Sequence, residues 1–156
     1  GVSWGELGID AMEGMARMNH ATHRDLLPGW IRSVPEATVL LALRAPRILD
    51  VGCGCGESTL SLAKNFPHAT VLGIDPDGES LLRAKAELDR RGLANASFLQ
   101  SSLEDLPSHI GKLGFHLTLA YDCVHDMVNP LEALGQMRRL LQIDATESGS
   151  AGDAKS

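Results

Sequence analysis

Three things are scarce in this chain of 156 residues: long apolar runs, cysteine and positive charge. No apolar run approaches the roughly 20 residues of a membrane-spanning helix. The start of the chain also lacks the basic segment followed by an apolar one that marks a secretory signal. The sequence therefore predicts a cytoplasmic protein without a membrane partner.

The scarcity of cysteine excludes a disulfide framework. Cys53, Cys55 and Cys123 are an odd set, and two of them lie in one glycine-rich turn, so we predict free thiols that line a pocket. A Cys-x-Cys pair alone does not provide the four ligands of a structural zinc site. His20 and His23 have no nearby acid or cysteine to complete a ligand set. We therefore predict no metal and interpret the two histidines as part of a solvated helix face.

Acidic residues outnumber basic ones, with 20 Asp and Glu against 14 Lys and Arg, a formal charge of −6 and a sequence pI near 5.4. This balance provides no broad cationic surface for a phosphate backbone, so nucleic acid is not an expected partner. A small-molecule or protein substrate is favoured instead. The hydrophobic content of 44% is enough for the core of one domain.

The pattern along the chain predicts three parts. Residues 1–45 are predicted to form an N-terminal helical segment on the lid or substrate side of the protein, and residues 46–142 one α/β domain. Residues 143–156 are rich in Ala, Ser, Gly and Asp without periodicity, and we predict a disordered tail there.

Two patterns support the N-terminal helical prediction. A stripe at three-residue spacing is formed by Ile9, Met12, Met15 and Met18. We interpret this stripe as core packing, with a lid over a cofactor or an adaptable wall for an apolar substrate as the alternative. Before the apolar run Val39 to Leu43, residues 33–36 resemble a capping box.

Within the second part, strand-like and helix-like segments alternate. The predicted strands are 47–51, 70–75, 96–100 and 115–121, and the predicted helices are 57–66, 78–91 and 130–142. Such alternation predicts a parallel sheet with helices on both faces. In the helix 78–91, a buried stripe is predicted for Leu81, Leu82, Ala84 and Leu88.

The most informative segment is the run Arg47 to Gly56, in which a β-rich stretch is followed by glycine at three alternate positions. A strand, a tight turn and a helix start in this order let backbone amides meet a ligand. The next predicted strand ends in Asp75, where a Rossmann-type unit has the acid that binds ribose hydroxyls. Together these features predict a nucleoside-containing cofactor.

The spacing of the glycines disfavours a dinucleotide. The fingerprint G-x-G-x-x-G, counted from Gly52, needs glycine at position 57, where this chain has Glu57. A carboxylate at the start of the helix repels a pyrophosphate that would otherwise bind the exposed amides. NAD and FAD are therefore disfavoured, and with them a nicotinamide-dependent oxidoreductase.

The turn instead resembles the first motif of the class I S-adenosylmethionine (SAM) methyltransferases, in which an acid lies two residues before G-x-G-x-G. Here the acid is Asp50 and the glycines are Gly52, Gly54 and Gly56. The resemblance runs from about residue 47 to residue 142. It also includes the segments 74–76, 101–107 and 115–130.

This resemblance implies an α/β, Rossmann-like parallel sheet of strand order 3-2-1-4, with SAM as the cofactor. By resemblance, the glycine backbone admits the methionine part of SAM and Asp50 faces its amino group, directly or through water. Asp75 takes both ribose hydroxyls, and the Ser102 hydroxyl or the Leu103 amide reads adenine. The residues predicted to bind the cofactor are Asp50, Gly52, Cys53, Gly54, Gly56, Asp75, Pro76, Ser102, Leu103 and Tyr121.

The segment after the fourth predicted strand is expected to carry the chemistry. Its Asp-Cys-x-His-Asp-Met form resembles methyltransferases that have an extra N-terminal winged helix, absent from this chain, and act on small molecules. His125 is the predicted general base, oriented by Asp122 or Asp126. The alternative is a histidine that caps the loop or packs on the cofactor. Cys123 is expected to contact SAM.

The function implied is methyl transfer from SAM to an O, N or C nucleophile of a small molecule. A complete domain of the class usually continues into a glycine turn and three further strands, so we expect this chain to be C-terminally truncated. The alternative is accordingly a non-catalytic SAM-binding or interaction module left by truncation. The fourth strand would then be an open sheet edge, which invites a homodimer or a partner chain.

Overall fold

The computed structural model describes residues 8–141, so the predicted tail 143–156 lies outside the described residues. The strands are β1 (Arg47–Val51), β2 (Thr70–Asp75), β3 (Ala96–Gln100) and β4 (Leu117–Ala120). The helices are α1 (Ile9–Ala21), α2 (Leu27–Arg32), α3 (Pro35–Leu41), α4 (Glu57–Asn65), α5 (Gly78–Arg91), α6 (Ser108–Gly111) and α7 (Pro130–Leu140). A π-helical turn (Thr22–Leu26) joins α1 to α2, and a 3₁₀ turn (Val124–Asp126) precedes α7. Between residues 8 and 141, no helix has both the length and the apolar character needed to cross a membrane.

The four strands form one parallel sheet of order β3-β2-β1-β4, which confirms the predicted fold and strand order. The register pairs Arg47 of β1 with Thr70 of β2 and Ile48 of β1 with Leu117 of β4. Because all four strands run the same way, their carboxyl ends meet at one edge of the sheet. The loops that follow the strands are therefore brought together there.

Strand β1, which lies between β2 and β4, is buried on both faces. Ile48 packs into a cluster that includes Leu27 and Leu62, whereas Leu49 packs on the opposite face with Met137. Both β1 side chains have no exposed surface. A continuous apolar strand of this kind is typical of a parallel sheet covered by helices on both faces. The N-terminal segment thus belongs to the core through α2.

The ends of α5 and α7 follow from local sequence. The Asp77 carboxylate accepts a hydrogen bond from the Ser80 N–H, and α5 stops at Gly92, whose φ of 63° favours glycine. Asn129 caps α7 through the Glu132 N–H. These three assignments confirm the predictions for the two helices at their starts and at the end of α5.

The fourth strand is shorter than the predicted 115–121, and the last helix ends before residue 142. Phe115 makes an isolated parallel bridge to Leu141, and its N–H donates to the Leu140 carbonyl over 2.8 Å. The side chain of His116 also contacts β1, because its Nδ1 accepts a hydrogen bond from the Arg47 N–H. The extended backbone of Leu141 ends α7.

Three predictions for the helices, one for a cap and two for buried faces, are wrong in part. Ser33 is not a helix cap, because its hydroxyl donates to the Trp30 carbonyl over 2.6 Å and Val34 precedes α3 without a side-chain cap. Leu82 is 70% exposed, so it does not belong to the buried stripe of α5. Met18 is 65% exposed and therefore does not pack in the core. The side chains of Ile9 and Met12 lie outside the described part of the chain.

Candidate functional site

A cavity of about 420 Å³ lies at the carboxyl ends of the strands. Its volume is in the range of small-molecule and cofactor sites. The loops after all four strands contribute to its wall, and α1 and the π-helical turn contribute from the other side. Nine of the residues predicted as site residues line it: Gly52, Cys53, Gly54, Asp75, Pro76, Ser102, Leu103, Tyr121 and Asp122.

The three glycines of the turn have left-handed backbones but different surroundings. A Cβ atom at Gly52 would lie 2.7 Å from the Cys123 Sγ, and one at Gly56 would lie 2.6 Å from the Phe98 ring. At Gly54, with φ of 51°, a Cβ atom would meet nothing within 4 Å. Gly52 and Gly56 are thus required by packing against the protein, while Gly54 presents its open side at the cavity.

Asp75 is held in place by the turn that it faces. Its Oδ2 accepts a hydrogen bond from the Gly54 N–H over 2.7 Å, and its Oδ1 accepts one from the Asp77 N–H over 2.9 Å. Burial raises the pKa of Asp75 above its ordinary value, and the two amides oppose that rise. Each carboxylate oxygen retains a lone pair, so the group can still accept from two vicinal hydroxyls.

Asp50 lies behind the glycine turn and is not part of the cavity wall. It has no exposed surface, and its Oδ2 accepts from the hydroxyls of Ser58 and Thr59, each over 2.6 Å. Its Oδ1 is buried and has no hydrogen-bond partner among the described residues. The side chain therefore ties β1 to the start of α4. The structure does not bring it to the surface that a cofactor amino group would touch.

Asp50 provides a prediction for stability. Burial raises its pKa from 3.8 to about 6, so between these values the folded chain holds a proton that the unfolded chain releases. The stability contributed by the neutral form is present below pH 3.8 and is lost as the pH rises through 6. Asp50→Asn removes this titration. As the pH rises through this interval, we expect the free energy of unfolding of Asp50→Asn, measured by urea denaturation, to increase relative to that of the unaltered chain.

The control for that measurement is Asp89→Asn, which removes an exposed carboxylate from α5. Its stability should follow the pH dependence of the unaltered chain. Asp75, whose charge also raises the pKa of Asp50, is present in all three proteins. A constant difference between Asp50→Asn and the unaltered chain over the interval would contradict the prediction.

The cysteines confirm the prediction of free thiols that line a pocket. Cys53, Cys55 and Cys123 are all unpaired and all lie in the cavity wall. Burial raises the pKa of each thiol, that of Cys123 to about 12. Because the thiolate is the nucleophilic form, a raised pKa disfavours these side chains as nucleophiles.

The N-terminal segment forms the wall of the cavity that lies opposite the loops after the strands. The Asn19 Nδ2 donates to the Asp122 Oδ2 over 3.0 Å, and the ring of His23 meets the Tyr121 ring edge-on at 4.4 Å between centroids. Met15 also lines the cavity. Sequence reasoning missed Asn19 and His23 as site residues, because their partners lie about a hundred residues away and no local pattern indicates such a contact. The prediction that His23 lies on a solvated helix face is wrong.

His125 is not brought into the cavity. Its side chain is 66% exposed on the 3₁₀ turn, with Nε2 3.5 Å from an oxygen of Asp126 and Nδ1 4.0 Å from an oxygen of Asp122. Asp122 itself lines the cavity and has φ of 55°, an uncommon backbone for a residue other than glycine. The turn therefore aims the carboxylate of Asp122 at the cavity and the ring of His125 at solvent.

The cavity wall is acidic. Six carboxylates line it, and no lysine or arginine does so among residues 8–141; the six are Glu57, Asp75, Asp77, Glu104, Asp122 and Asp126. The carboxylate of Glu57 is paired with Arg91 at 2.6 Å. Such a wall fits a cofactor that carries a sulfonium and an ammonium group, and it repels a diphosphate. In the same part of the chain, no group of three His, Cys, Asp or Glu side chains is placed to hold a metal ion.

A parallel sheet of order 3-2-1-4, with a glycine turn and the acid of the second strand on one cavity, defines a Rossmann-like nucleoside-cofactor domain. The chain matches the family model described as "Methyltransferase domain" over residues 44–146. It belongs to this methyltransferase family, and its cofactor is SAM.

Similar proteins differ in what they are named for. The chain is 27% identical over 97 residues to a malonyl-[acyl-carrier protein] O-methyltransferase of Paenibacillus, which covers 62% of this chain and 35% of that protein. It is 42% identical over 60 residues to a trans-aconitate 2-methyltransferase of Deinococcus radiodurans, over 38% of this chain and 22% of the relative. It is 37% identical over 59 residues to a tRNA (guanine-N(7)-)-methyltransferase of Porphyromonas gingivalis, over 38% and 24%.

One of the solved structures similar to this chain contains a bound ligand related to SAM. The N-terminal domain of EvdMO1 with S-adenosylhomocysteine (SAH) bound is similar to this chain with a TM-score of 0.60 and 25% identity. The similarity covers 78% of this chain and 49% of that one. The matched regions span only 22 to 35% of the length of the three curated relatives.

Proposed function

We propose that the protein transfers a methyl group from SAM to an O, N or C nucleophile of a small molecule. The observation that carries this proposal is the joining of the glycine turn to the acid of β2, through the hydrogen bond from the Gly54 N–H to Asp75, in the wall of one cavity. The bond fixes the two elements that meet a nucleoside cofactor relative to each other. The remainder of the cavity, under α1, is left for an acceptor.

In this proposal the cofactor lies along the loops in chain order. The open side of Gly54 would face the methionine part, Asp75 would accept from the ribose hydroxyls, and Pro76 would line the cavity beside the ribose. Ser102 and Leu103 face adenine. The Ser102 hydroxyl already donates to Asp105 over 2.8 Å, which supports the Leu103 amide as the reader of the base. Asp50 acts from behind by holding the start of α4.

The protein contributes mainly alignment and the exclusion of water. SAM supplies a methyl group on a sulfonium, which is a good leaving group, so positioning of the acceptor accounts for much of the acceleration. The segment α1 to α3 is named the cover (residues 9–41). Its first part, α1 and the π-helical turn, lines the cavity through Met15, Asn19 and His23 and supports that role. Asp122 faces the acceptor side. His125 lies outside the wall and is not part of this proposal.

A second candidate is a SAM-binding module without catalytic activity. The position of His125, the predicted general base, favours it, because this side chain is exposed and lies outside the cavity wall. The two candidates share the cofactor site and differ only in turnover, so an experiment that measures binding and transfer on the same sample separates them.

The test is calorimetric titration with SAM and SAH, followed by transfer of labelled methyl from SAM to a panel of small acceptors and to bulk tRNA. Binding of SAM with transfer to at least one small molecule is the expected result. Binding without any transfer would favour the non-catalytic module. Transfer to tRNA alone would overturn the small-molecule proposal, and absence of SAM binding in folded protein would overturn both candidates.

We also propose a cytoplasmic protein that associates through β4. This strand pairs with β1 on one side. On the other side, the described residues provide only the bridge from Phe115 to Leu141, which lies just before the strand. Such an edge presents unpaired backbone groups to a second copy or a partner chain. Sedimentation should show a dimer. The substitution Thr118→Pro, in the middle of β4, should disrupt this dimer. A monomer at all concentrations would contradict the association.

A further inference from the structure

The acceptor end of the cavity has a distinct composition. Its wall is shared by the cover, through Met15, Asn19 and His23, and by the loop after β4, through Tyr121 and Asp122. Asp126 lies on the same loop and also lines the cavity. A bound acceptor therefore meets an imidazole on one side and two carboxylates on the other.

His23 has no partner for its polar atoms. Both ring nitrogens are buried, and neither has a hydrogen-bond partner among the described residues, although the ring edge contacts Tyr121. Buried polar groups in folded proteins are nearly always paired, so an unpaired imidazole beside a cavity indicates a polar group that arrives with a ligand. The residue lies in the π-helical turn Thr22–Leu26, and such irregular turns are frequent at functional sites.

The burial of His23 favours its neutral form. Burial lowers the pKa of His23 below 6.5, and the neighbouring His20 lowers it further, while Glu57 and Asp122 oppose that change. The ring is therefore available to accept a proton at neutral pH. The groups opposite it, Asp122 and Asp126, are half exposed. They have no lysine or arginine beside them in the cavity wall as described.

We propose that the acceptor is a small primary or secondary amine, bound as its ammonium form by Asp122 and Asp126, with His23 as the group that takes its proton. This inference rests on the proposed methyl transfer and narrows it to one class of nucleophile. A carboxylate acceptor would meet two like charges and no cation, which opposes its binding.

The reaction balances with these groups alone. The ammonium loses one proton to the neutral imidazole of His23, which passes it to water. The amine nitrogen then forms a bond to the methyl carbon as the S–CH₃ bond breaks. The electron pair of that bond stays on sulfur, which gives SAH and a methylated ammonium product.

The first test uses two probes of the same shape and opposite charge, 2-phenylethylamine and 3-phenylpropanoate, titrated into the SAH-saturated protein. The amine is expected to bind at least about tenfold more tightly than the carboxylate. The double variant Asp122→Asn with Asp126→Asn should abolish that preference. Asn tolerates the left-handed backbone at residue 122 and still accepts from Asn19, so the fold is kept. Equal binding of the two probes, or binding of neither, would overturn the proposal.

The matched control is Asp10→Asn with Asp89→Asn, which removes the same charge from two exposed positions outside the cavity. It should keep the preference for the amine. Saturation with SAH is measured first by calorimetry, so a protein that fails to bind SAH contradicts the proposed function, whereas one that binds SAH and ignores the charge of the probe contradicts only this inference.

The role of His23 has its own readout. The ¹⁵N resonances of its ring, assigned by their loss in His23→Gln, should shift with the amine and not with 3-phenylpropanoate. His23→Gln should retain the amine affinity and slow methyl transfer to 2-phenylethylamine by about 100-fold, while His109→Gln on α6 leaves the rate unchanged. A loss of rate in His125→Gln without one in His23→Gln would overturn the assignment, as would ring resonances that do not respond to the amine.

Discussion

Asp75→Ala is expected to weaken SAH binding by at least about 100-fold, because two hydrogen bonds to a carboxylate are lost and each contributes about 1.5–3 kcal/mol. The structure supports this magnitude, since both oxygens of Asp75 are oriented by backbone amides and need no rearrangement to accept from a ribose diol. Calorimetry with SAH measures the change. A reduction of less than tenfold would contradict the ribose role.

Two comparisons separate the ribose contact from general effects. Asp77→Ala removes the neighbouring cavity carboxylate and a helix cap, so it reports how far lost charge and lost stability weaken binding. The 2′-deoxy analogue of SAH lacks one of the two hydroxyls. This analogue should bind the unaltered protein more weakly than SAH does. Asp75→Ala should bind the analogue and SAH with equal affinity. If removal of the hydroxyl weakened binding equally in the unaltered protein and in Asp75→Ala, the hydroxyl would not contact Asp75.

Gly54→Ala is expected to reduce SAH affinity by about 100-fold, or about 2.7 kcal/mol. The added methyl group meets no protein atom within 4 Å, so it projects into the space that the cofactor needs. The same change at Gly52 or Gly56 would push against Cys123 or Phe98 and confuse loss of binding with loss of folding. Gly54 is therefore the glycine at which the ligand can be tested alone.

Gly92→Ala is the matched control for that experiment. Gly92 ends α5 with φ of 63°, and a Cβ atom there also meets nothing within 4 Å. Both substitutions place alanine in a left-handed backbone, which costs about 1–2 kcal/mol. The two variants should therefore lose similar stability by thermal unfolding, while only Gly54→Ala loses affinity for SAH. Equal affinities in the two variants would contradict the proposed path of the cofactor over the turn.

The sheet and the turn could be predicted because their signals are local. Parallel strands buried on both faces are continuous apolar runs, as at Ile48 and Leu49, and glycines at alternate positions have few other uses. The start of β4 is less predictable, because the bridge from Phe115 to Leu141 depends on where α7 returns to the sheet. Strand limits at an edge are determined by neighbours in space that the sequence does not reveal.

The acceptor side could not be predicted for the same physical reason. Position in the chain and residue type favoured His125 as a base, yet the backbone of the loop after β4 directs Asp122 at the cavity and leaves His125 exposed. The contact of His23 with Tyr121 joins the first and last parts of the described chain. The burial of Asp50 was also missed, since nothing in its motif distinguishes an acid behind the turn from one in front of it.

The position of the cover has a consequence for how specificity can change. The family model begins at residue 44, where the cover has ended, so the shared pattern describes the cofactor domain and not the segment above it. The cover contributes Met15, Asn19 and His23 to the cavity wall, and Asn19 donates a hydrogen bond to Asp122 across it. Under the proposed function, we expect substitutions in α1 and the π-helical turn to exchange one acceptor for another while the cofactor domain is kept. For protein engineers, helix α2 does not offer the same freedom, because Leu27 packs with Ile48 in the core.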